Sequence, residues 1–338
     1  MFRYLQKSVI LLGLSVVITC GVYPAILWVV GQTLFPFQAN GSIVRDANGN
    51  VVGSMLVAQP FTKDEYFQPR PSAASYDATA STSSGYGPSN YVLRDRVARS
   101  IGPIATYAAG DKKGQAVASD VEAWFQADTF GGNPHIVSQW ADAHNTLAQN
   151  WVTADPTHAA YIDEWEKSHD PVVKDWIKAN PATPQPKETD LAVVFFKTFS
   201  TEHPGTFPSS VTKTGADGKS TTDIEPVNSG SDVQSIFFDM WRTDHPDAQL
   251  NDVPGDLVTA SASGLDPHIT LQNAEFQLDR VAAKWAGDKK REVADVRREI
   301  EGILADKAAA PWGGLIGEKL INVLEVNLEL HKRYGDPA

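Results

Sequence analysis

The sequence is poor in cysteine and in basic residues. Its only cysteine among 338 residues is Cys20, so no intrachain disulfide can form, and cysteine usage says nothing about the compartment. The 29 Lys and Arg are outnumbered by 41 Asp and Glu, which gives a formal net charge of −12. Proteins that bind nucleic acid neutralise phosphates with Lys and Arg, so this balance argues against a nucleic-acid partner.

Common catalytic and nucleotide-binding motifs are missing as well. The sequence has no G-x-x-x-x-G-K-[ST], G-x-G-x-x-G, H-E-x-x-H, C-x-x-C or G-x-S-x-G pattern. No two histidines in the middle of the chain stand three or four residues apart, as a metal site on a helix would require. We therefore assign no catalytic, cofactor-binding or metal-ligating residue.

A long apolar run is present near the N-terminus, over residues 8–31. As a helix at about 1.5 Å per residue it would reach roughly 36 Å, enough to cross a hydrocarbon core of about 30 Å. Arg3 and Lys7 precede it, which predicts a cytoplasmic tail at residues 1–7, a transmembrane helix at residues 8–34 and the rest of the chain outside.

Two details refine this span. Pro24 should kink the helix. A cleaved signal peptide is the alternative, but the apolar run exceeds a signal-peptide core and no Ala-x-Ala site follows it. We therefore expect a retained anchor.

The segments after the span read as a mixture of strands and helices. Residues 42–46 and 51–57 are β-branched runs on either side of Ala47-Asn48-Gly49-Asn50, which predicts a hairpin. Helical spacing predicts helices from Ser89 or Asn90 through Ile101, around 274–285, and over 291–304. Strands are predicted at Leu257–Thr259 and, from its alternation, at Leu324–Leu330.

The loop Tyr66–Asn90 has neither helical nor strand periodicity, yet it holds three prolines, two glycines and four aromatic residues. Because proline fixes φ and removes a backbone donor, this composition predicts a rigid loop suited to contact. Arg70, between two prolines, either binds a partner's carboxylate or pairs with Asp77. The four aromatic side chains either form a docking surface or fill the core below the loop.

A second loop of specified character spans Ser263–Ile269. Its His268 follows Asp266-Pro267, and it is either a pH-sensitive group or a turn histidine bonded to local backbone. We favour the turn histidine.

Residues 105–252 differ in composition from the rest of the chain. They carry 22 Asp and Glu against 10 Lys and Arg, with six of the nine tryptophans and six of the eight histidines. An aromatic residue repeatedly precedes a proline by five or six positions, which predicts short helices that end just before each proline. Residues 212–231 are rich in Gly, Ser, Thr and Asp and are predicted to be a loop.

Several phrases of the sequence match one known family in order. They include Gly-Val-Tyr-Pro at 21–24, Leu-Phe-Pro-Phe-Gln-Ala-Asn-Gly-Ser at 34–42, Arg-Pro-Ser-Ala-Ala at 70–74, Gly-Pro-Ser-Asn at 87–90, Ala-Ser-Gly-Leu-Asp-Pro-His-Ile at 262–269 and Asn-Val-Leu-Glu-Val-Asn-Leu at 322–328. On these phrases the chain resembles the KdpC family, the small subunit of Kdp-type potassium-pumping ATPases. The resemblance covers residues 8–104 and 253–338.

The resemblance implies an α+β extracytoplasmic domain, built from residues 35–104 and 253–338, anchored by one transmembrane helix in the bacterial inner membrane. It further implies a potassium-translocating channel-like subunit and a P-type ATPase catalytic subunit as partners, besides the lipid bilayer. ATP, Mg²⁺ and K⁺ would be used by the complex, with no cofactor bound directly by this subunit, which would aid assembly and activity without hydrolysing ATP. A role in ATP binding has been suggested for such subunits, and the topology inferred above favours an indirect effect.

Candidate contact residues follow from the two loops and the matching phrases. Packing of the span against neighbouring helices would involve Gly13, Gly21 and Pro24. The residues chosen for partner contact or for shaping the loops are Tyr66, Phe67, Arg70, Ser84, Tyr86, Asn90, Asp266, His268, Asn322 and Asn327.

The chain departs from the family at two places. Residues 81–85 read Ser-Thr-Ser-Ser-Gly where the family has Ser-Gly-Gly-Ser-Asn, and Thr82 tolerates positive φ poorly, so altered loop contacts are expected. Residues 105–252 form an insertion, expected to be mainly helical. The insertion is a solvated acidic decoration, a local concentrator of potassium ions, an independent binding module that uses its tryptophans, or a membrane-tethered metal-dependent or hydrolytic enzyme.

Overall fold

The computed structural model describes residues 2–46, 48–87, 89–214, 219–315 and 317–335, which fold as a mixture of helices and strands. They form two compact units, one made of Met1–Gly85 with Val253–Ala338 and the other of Tyr86–Asp252. The second unit thus starts before residue 105, the expected start of the insertion. It does so because the helix at Tyr91–Ile101 packs on two helices near the end of that unit.

The first unit begins with a long apolar helix, in which α1 (Phe2–Val16) and α2 (Tyr23–Leu34) are joined by a π-helical segment, Val17–Val22. By length and composition the stretch Phe2–Leu34 could cross a membrane, and none of it is buried inside the protein. The N–H of Tyr23 donates to the carbonyl of Ile18, five residues earlier. Because Pro24 lacks an N–H, the regular hydrogen-bond ladder is broken next to it, and the helix widens there.

Directly after the span come a one-turn helix, α3 (Pro36–Ala39), and a hairpin of β1 (Ile43–Arg45) and β2 (Val51–Ser54). Val44 pairs with Gly53, with a register shift before Arg45. The predicted hairpin is confirmed, although Ala47 in its turn lies outside the described residues. The carboxylate of Asp46 accepts hydrogen bonds from the backbone of Asn48 and Asn50 and so shapes the turn.

The second unit is mainly helical. Its elements are α4 (Tyr91–Ile101), α5 (Ala118–Gln126), β3 (Thr129–Phe130), β4 (Asn133–Pro134), α6 (Ile136–Ala143), α7 (Asn145–Ala154), α8 (Pro156–Ser168), α9 (Asp170–Ala179), α10 (Glu188–Glu202), β5 (Phe207–Thr214), β6 (Ser220–Val227), α11 (Ser231–Ile236) and α12 (Phe238–Asp244). The helix α4 begins as expected, since the side chain of Asn90 accepts a hydrogen bond from the N–H of Val92. Helix α10 lies centrally and packs on α6, α7 and α8.

The aromatic-to-proline pattern marks helix ends in every case. The helices α7, α9, α10 and α12 end two residues before the prolines at 156, 181, 204 and 246, and α8 ends three residues before Pro171. The aromatic residues that precede these prolines are Trp151, Trp165, Trp176, Phe199 and Trp241, and all are buried or half-buried. The prediction of short helices with an aromatic residue in the last turn is confirmed.

The expected loop at residues 212–231 is wrong for residues 212–214 and 220–227, which are strands, and residues 215–218 of this prediction lie outside the described residues. The strands β5 and β6 pair antiparallel, from Phe207 opposite Val227 to Thr214 opposite Ser220. The outer part of this ribbon is solvated on both faces, so its sequence is polar and lacks the alternation of a half-buried strand. Hydroxyl pairs across the strands support it, such as Thr212 with Thr222 at 2.8 Å.

The remainder of the first unit holds α13 (Gly255–Val258), β7 (His268–Thr270), α14 (Leu271–Lys289), α15 (Val293–Lys307), a 3₁₀ turn (Pro311–Gly314), β8 (Leu320–Asn322) and α16 (Val323–Tyr334). The two predicted helices at 274–285 and 291–304 are confirmed as parts of α14 and α15. Strands β7 and β8 pair antiparallel, with Ile269 opposite Ile321.

Two strand predictions in this part are wrong. Leu257–Thr259 falls largely in the short helix α13. Leu324–Leu330 is part of α16, whose buried positions Val323, Val326, Leu330 and Tyr334 recur every three or four residues. The alternation of apolar residues arose because the same helix also carries Leu324, which is buried, and Leu328, which is half-buried.

The core of the first unit lies where α14, α15 and α16 meet. Trp285 and Phe67 are fully buried in it, and Ile269 and Ile321 of the small sheet close one side. Phe67 belongs to the long loop and not to a regular element. The loop is therefore part of the core of this unit.

Candidate functional site

The start of the long loop is held by amide side chains on two helices. The N–H of Phe67 donates to Oδ1 of Asn327 and its carbonyl accepts from Nδ2 of the same residue, both at 2.9 Å. Asn327 is 2% exposed and Phe67 is fully buried, so both bonds are shielded from water. An asparagine on α16 thus replaces the strand that would otherwise pair with this backbone.

The neighbouring residues are held in the same way from α14. The N–H of Gln68 donates to Oε1 of Gln277 at 2.7 Å, and Nε2 of Gln277 donates back to the Gln68 carbonyl at 3.1 Å. Arg280 on the same helix donates to the carbonyls of Asp64 and Tyr66 at 2.8 and 3.0 Å. We call Asn327, Gln277 and Arg280 the polar clamp.

The loop that begins at Tyr66 contacts the loop Ser263–Ile269. The N–H of Thr82 donates to the carbonyl of Ser263 at 3.0 Å, and the hydroxyl of Ser72 donates to the carbonyl of Gly264. Gly264 has φ +70°, and a Cβ placed there would lie 2.5 Å from the Thr82 carbonyl oxygen. Only glycine fits at this contact, for both conformational and steric reasons.

Thr82 is one of the positions at which the chain departs from the family phrase, and its contacts fall on the second loop. Ser84, in the same segment, is half-buried, and Gly85 adopts φ +67°. The altered segment therefore still packs on its own unit.

Arg70 bonds within its own unit. Its guanidinium donates to the carbonyls of Thr259 and Ala260, at 3.4 and 3.1 Å, and the side chain is half-buried. The expected pair with Asp77 is not formed, because the Asp77 carboxylate accepts instead from Thr79 two residues later. The partner of Arg70 is backbone, nearly two hundred residues away in sequence, and no charge pattern along the chain indicates it.

Asp266 and His268 form a local pair. Oδ1 of Asp266 lies 3.0 Å from both the N–H and Nδ1 of His268. The side-chain hydrogen bond from His268 lowers the pKa of Asp266, and the charge of Arg70 acts in the same direction, although burial opposes both. His268 is thus a turn histidine, but its partner is the aspartate side chain and not the backbone alone.

Other candidate residues also shape local structure. Asn322 caps α16 by accepting from the N–H of Glu325 and donates to the carbonyl of Met55, which ties the hairpin to this helix. Tyr66 is half-buried against Phe61, with ring centroids 5.4 Å apart. Two of the ten candidates lie in the second unit. There Asn90 caps α4, and Tyr86 is 43% exposed.

The long apolar helix Phe2–Leu34 leaves its small residues open. A Cβ added at Gly13 or Gly21 would meet nothing within 4 Å. Pro24 follows the π-helical segment. Packing of this face against other helices stays a prediction.

Histidines of the second unit cap helices. The backbone N–H of His144, His169, His203 and His245 each donates to the carbonyl of the aromatic residue four positions earlier, at 2.8 to 3.0 Å. The rings of His169 and His245 also stack on Trp165 and Trp241, with centroids 4.9 and 4.8 Å apart. Aromatic residue and histidine thus form one helix-ending unit, which explains why both are enriched.

His169 carries a further contact. Its Nε2 lies 2.9 Å from Oε1 of Glu202. Burial alone would lower the pKa of His169, but the hydrogen bonds to Glu202 and to the Trp165 carbonyl, with the Glu202 charge, raise it.

His158 is the one buried histidine of this unit, with 8% exposure. Its Nδ1 lies 2.6 Å from the carbonyl of Trp151 and its Nε2 lies 3.0 Å from Oγ of Ser210, so both ring nitrogens are engaged. Among the residues that the structure describes, no group of three or more His, Cys, Asp or Glu is placed to hold a metal ion. The tryptophans of this unit lie in its core or half-buried beside it.

Sequence reasoning missed Gln277 and Arg280, two of the three clamp residues. Both face the core side of α14, where Gln277 is 4% exposed. A buried glutamine on an amphipathic helix is the signal that could have found it, since a buried amide requires partners.

Comparison with protein families gives a match to KdpC, described as the K⁺-transporting ATPase c chain, over residues 5–146 and 221–332. Together these segments make up more than half of the chain. The match extends into the acidic block from both sides and leaves residues 147–220 unmatched.

Curated proteins named potassium-transporting ATPase KdpC subunit are similar over a shorter stretch. The protein of Caulobacter sp. (strain K31) is 49% identical over 98 residues, 28% of this chain and 50% of its own length. The proteins of Methanosphaerula palustris and Pseudomonas aeruginosa are 44% and 42% identical over 100 and 99 residues, and each is covered over 54% of its length. The aligned stretches thus span about half of these relatives. With the family model matched on both sides of the acidic block, the chain belongs to the KdpC family.

Proposed function

We propose that this chain is an accessory, non-hydrolytic subunit of an ATP-driven, high-affinity potassium uptake complex. Its partners in this proposal are a potassium-translocating channel-like subunit and a P-type ATPase catalytic subunit, which use ATP, Mg²⁺ and K⁺. The observation that carries the proposal is the family match over the regions on both sides of residues 147–220.

The proposal includes a location. The helix Phe2–Leu34 would anchor the chain in the bacterial inner membrane, with the N-terminus in the cytoplasm and both compact units outside. Under this topology the subunit acts on the catalytic subunit through packing of the span and through outer contacts. The open positions Gly13 and Gly21 support close approach by neighbouring helices.

The arrangement of the loops supports a contact role. The polar clamp and Gly264 fix the path of the long loop within the first unit, over residues 66–85. Preorganised surfaces lose less entropy on binding than flexible ones. Several side chains of the two loops, among them Arg70, Ser72 and Asp266, bond backbone within the first unit, which favours a rigid contact element.

Reconstitution of the transport subunits with and without this chain tests the proposal. We expect the full chain to raise potassium-stimulated ATP hydrolysis and to stabilise the complex during gel filtration. A Gly21→Leu variant should weaken this effect, because it fills the open helix face, whereas Val22→Leu in the same helix should not. Equal hydrolysis and equal complex stability with and without the chain would contradict the proposal.

We propose first that residues 105–252 provide a solvated acidic surface. A second candidate role, raising the local potassium concentration, is favoured only by the excess of 12 acidic over basic residues in this block. Screening over about 8–10 Å at physiological salt limits such an effect. A test must remove residues 86–252, since α4 packs inside the second unit. Different apparent potassium affinities for full-length and deleted chains at low salt, converging at high salt, would support the electrostatic role.

A further inference from the structure

One face of the first unit carries an open cleft between the hairpin and the C-terminal helix. Its volume is about 790 Å³, and its lining includes Val44, Val52, Tyr66, Leu324 and Leu328. A second cleft of about 430 Å³ shares Val44, Arg45, Leu328 and Lys332 with the first and extends to Phe37. The two together form one groove, here called the hairpin groove.

The hairpin groove has an apolar floor that the protein leaves uncovered. Val44 and Val52 point from the hairpin into the groove and are half-buried, and Leu328 of α16 is half-buried opposite them. Ile43, which lines the smaller cleft, is 38% exposed. A two-stranded hairpin is only marginally stable alone, and a contiguous apolar surface of this kind usually has a ligand or partner.

The groove lies close to the end of the membrane helix. Gln32, in the last turns of that helix, exchanges side-chain hydrogen bonds with Asn40. The N–H of Ser42 donates to the Phe37 carbonyl at 2.9 Å, and the N–H of Met55 donates to the Ser42 carbonyl at 3.1 Å. This short chain of bonds holds the hairpin next to the span.

Phe35 and Phe37, which begin this connection, are 55% and 49% exposed. They follow Leu34 by only one and three residues, a reach of at most about 10 Å. The head-group layer of a bilayer is roughly 5–8 Å thick on each side, so the Phe37 end of the groove opens at the level of the lipid head groups. Aromatic side chains are enriched at this depth.

Charges of both signs surround the groove. Arg45 and Lys332 line both clefts, with Asp46 at the larger and Glu329 at the smaller. The Arg45 guanidinium donates to the Gly49 carbonyl, and Lys332 is 79% exposed beside Glu329 at 3.7 Å. A rim with separate cations and anions suits a head group that has both a phosphate and an ammonium group.

We propose that the hairpin groove binds a zwitterionic phospholipid from the leaflet next to the end of α2. An acyl chain lies on the floor made by Val44, Val52 and Leu328. The phosphate lies near Arg45 and Lys332, and the ammonium group lies near the carboxylates of the rim. The bound lipid covers the open face of the hairpin and fixes the first unit against the membrane. This inference rests on the membrane anchorage in the proposed function.

Photocrosslinking in vesicles tests the proposal. The full chain is reconstituted in phosphatidylethanolamine and phosphatidylglycerol with a trace of phosphatidylethanolamine that carries a diazirine in one acyl chain, and adducts are mapped by peptide mass spectrometry. We expect adducts on residues 8–31, which report the anchorage, and also on residues 42–56 and 323–334. The same diazirine on phosphatidylglycerol should label the groove less.

Two variants and a control sharpen the test. Val44→Glu and Leu328→Glu each place a carboxylate on the apolar floor and should lower groove labelling about tenfold. Val293→Glu changes an apolar residue that is 47% exposed on α15, away from the groove, and should leave labelling unchanged. Unchanged amide exchange at Phe67 shows that a variant keeps its fold.

The outcomes separate the two proposals. Labelling of residues 8–31 without labelling of the groove would overturn the lipid site and leave the anchorage intact. No labelling at either place would contradict the anchorage. Equal groove labelling in Leu328→Glu and in the parent chain, or equal labelling by the two lipids, would refute the assigned floor or the assigned head group.

Discussion

The polar clamp makes a sharp prediction about Asn327→Leu. Leucine has nearly the same size but cannot bond the N–H and carbonyl of Phe67, which both lose their partner in a fully buried place. An unsatisfied buried polar group costs about 1–3 kcal/mol. The two groups together should therefore destabilise the state in which the loop at Phe67 is packed on α16 by roughly 2–6 kcal/mol. A change of 1.4 kcal/mol is tenfold, and the expected effect on local opening is therefore at least about 30-fold.

Hydrogen exchange of the peptide around Phe67 measures this opening directly. A global melting curve is unsuitable, because the chain has two compact units and need not unfold in one step. Asn327→Asp keeps the acceptor for the Phe67 N–H but loses the donor and turns a carboxylate oxygen toward the Phe67 carbonyl in a buried place, so its effect at neutral pH should be at least as large. Lys332→Ala on the same helix changes a side chain that is 79% exposed and serves as the control. Exchange rates at Phe67 that are alike in Asn327→Leu and Lys332→Ala would refute the clamp.

Three further predictions concern single residues. Gly264→Ala should destabilise the contact between the two loops by about 1–3 kcal/mol, because φ is +70° and the added Cβ meets a carbonyl; exchange of the loop amides measures it, and parent-like rates would contradict it. The hydrogen bond from Arg291 is the main cause that lowers the pKa of Glu299 to about 2. This pair therefore stabilises the folded state above pH 4.5, and the stabilisation is lost as pH falls toward 2. Glu299→Gln should reduce the pH dependence of stability in that window, as measured by acid unfolding. The raised pKa of His169 beside Glu202 predicts a stabilisation that is complete below pH 6.5 and is lost as pH rises through the raised value. His169→Gln should remove this pH dependence of local stability, which hydrogen exchange at the end of α8 measures. An unchanged pH dependence would argue against the prediction.

The sequence predicted elements well where local signals and packing agreed. The helices α14 and α15 and the hairpin at 43–54 follow from periodicity and turn chemistry, and Asn90 was one of two candidate caps, with Ser89, from its position before an apolar stripe. The proline positions predicted five helix ends, because a proline disfavours the helical conformation in the residue before it. At Pro171 the preceding residue, Asp170, instead begins the next helix, α9.

The wrong strand prediction in α16 and the missed strands β5 and β6 share one cause. The sequence alone does not show which faces of an element are buried and which meet solvent. In α16 the buried residues Leu324, Val326 and Leu330 and the half-buried Leu328 alternate with polar residues, which produced the pattern of a strand. In the ribbon of β5 and β6 both faces meet solvent, which hid the strands among polar residues.

Among the candidate site residues, Asn327 was chosen from a matching phrase, but its role depends on Phe67, 260 positions earlier. Arg70 likewise bonds carbonyls far along the chain, at 259 and 260. Local sequence shows that such residues are special. It does not show their partner, because the partner is backbone and has no residue-specific signature.

The acidic block shows a structural role for residue types that are enriched in it. Six histidines and six tryptophans in one region suggested a binding module or a metal enzyme. In the structure four of the histidines end helices beside an aromatic residue, and the tryptophans fill or flank the core. Their abundance follows from a fold made of many short helices, each of which needs an end.

Affinity purification from a mild-detergent extract of cells that express the transport subunits tests whether this chain is a subunit of the potassium uptake complex. We expect the tagged full chain to bring down both a P-type ATPase subunit and a large polytopic channel-like subunit. A chain lacking residues 8–31 should bring down less of both. Recovery of the tagged chain alone would contradict this expectation.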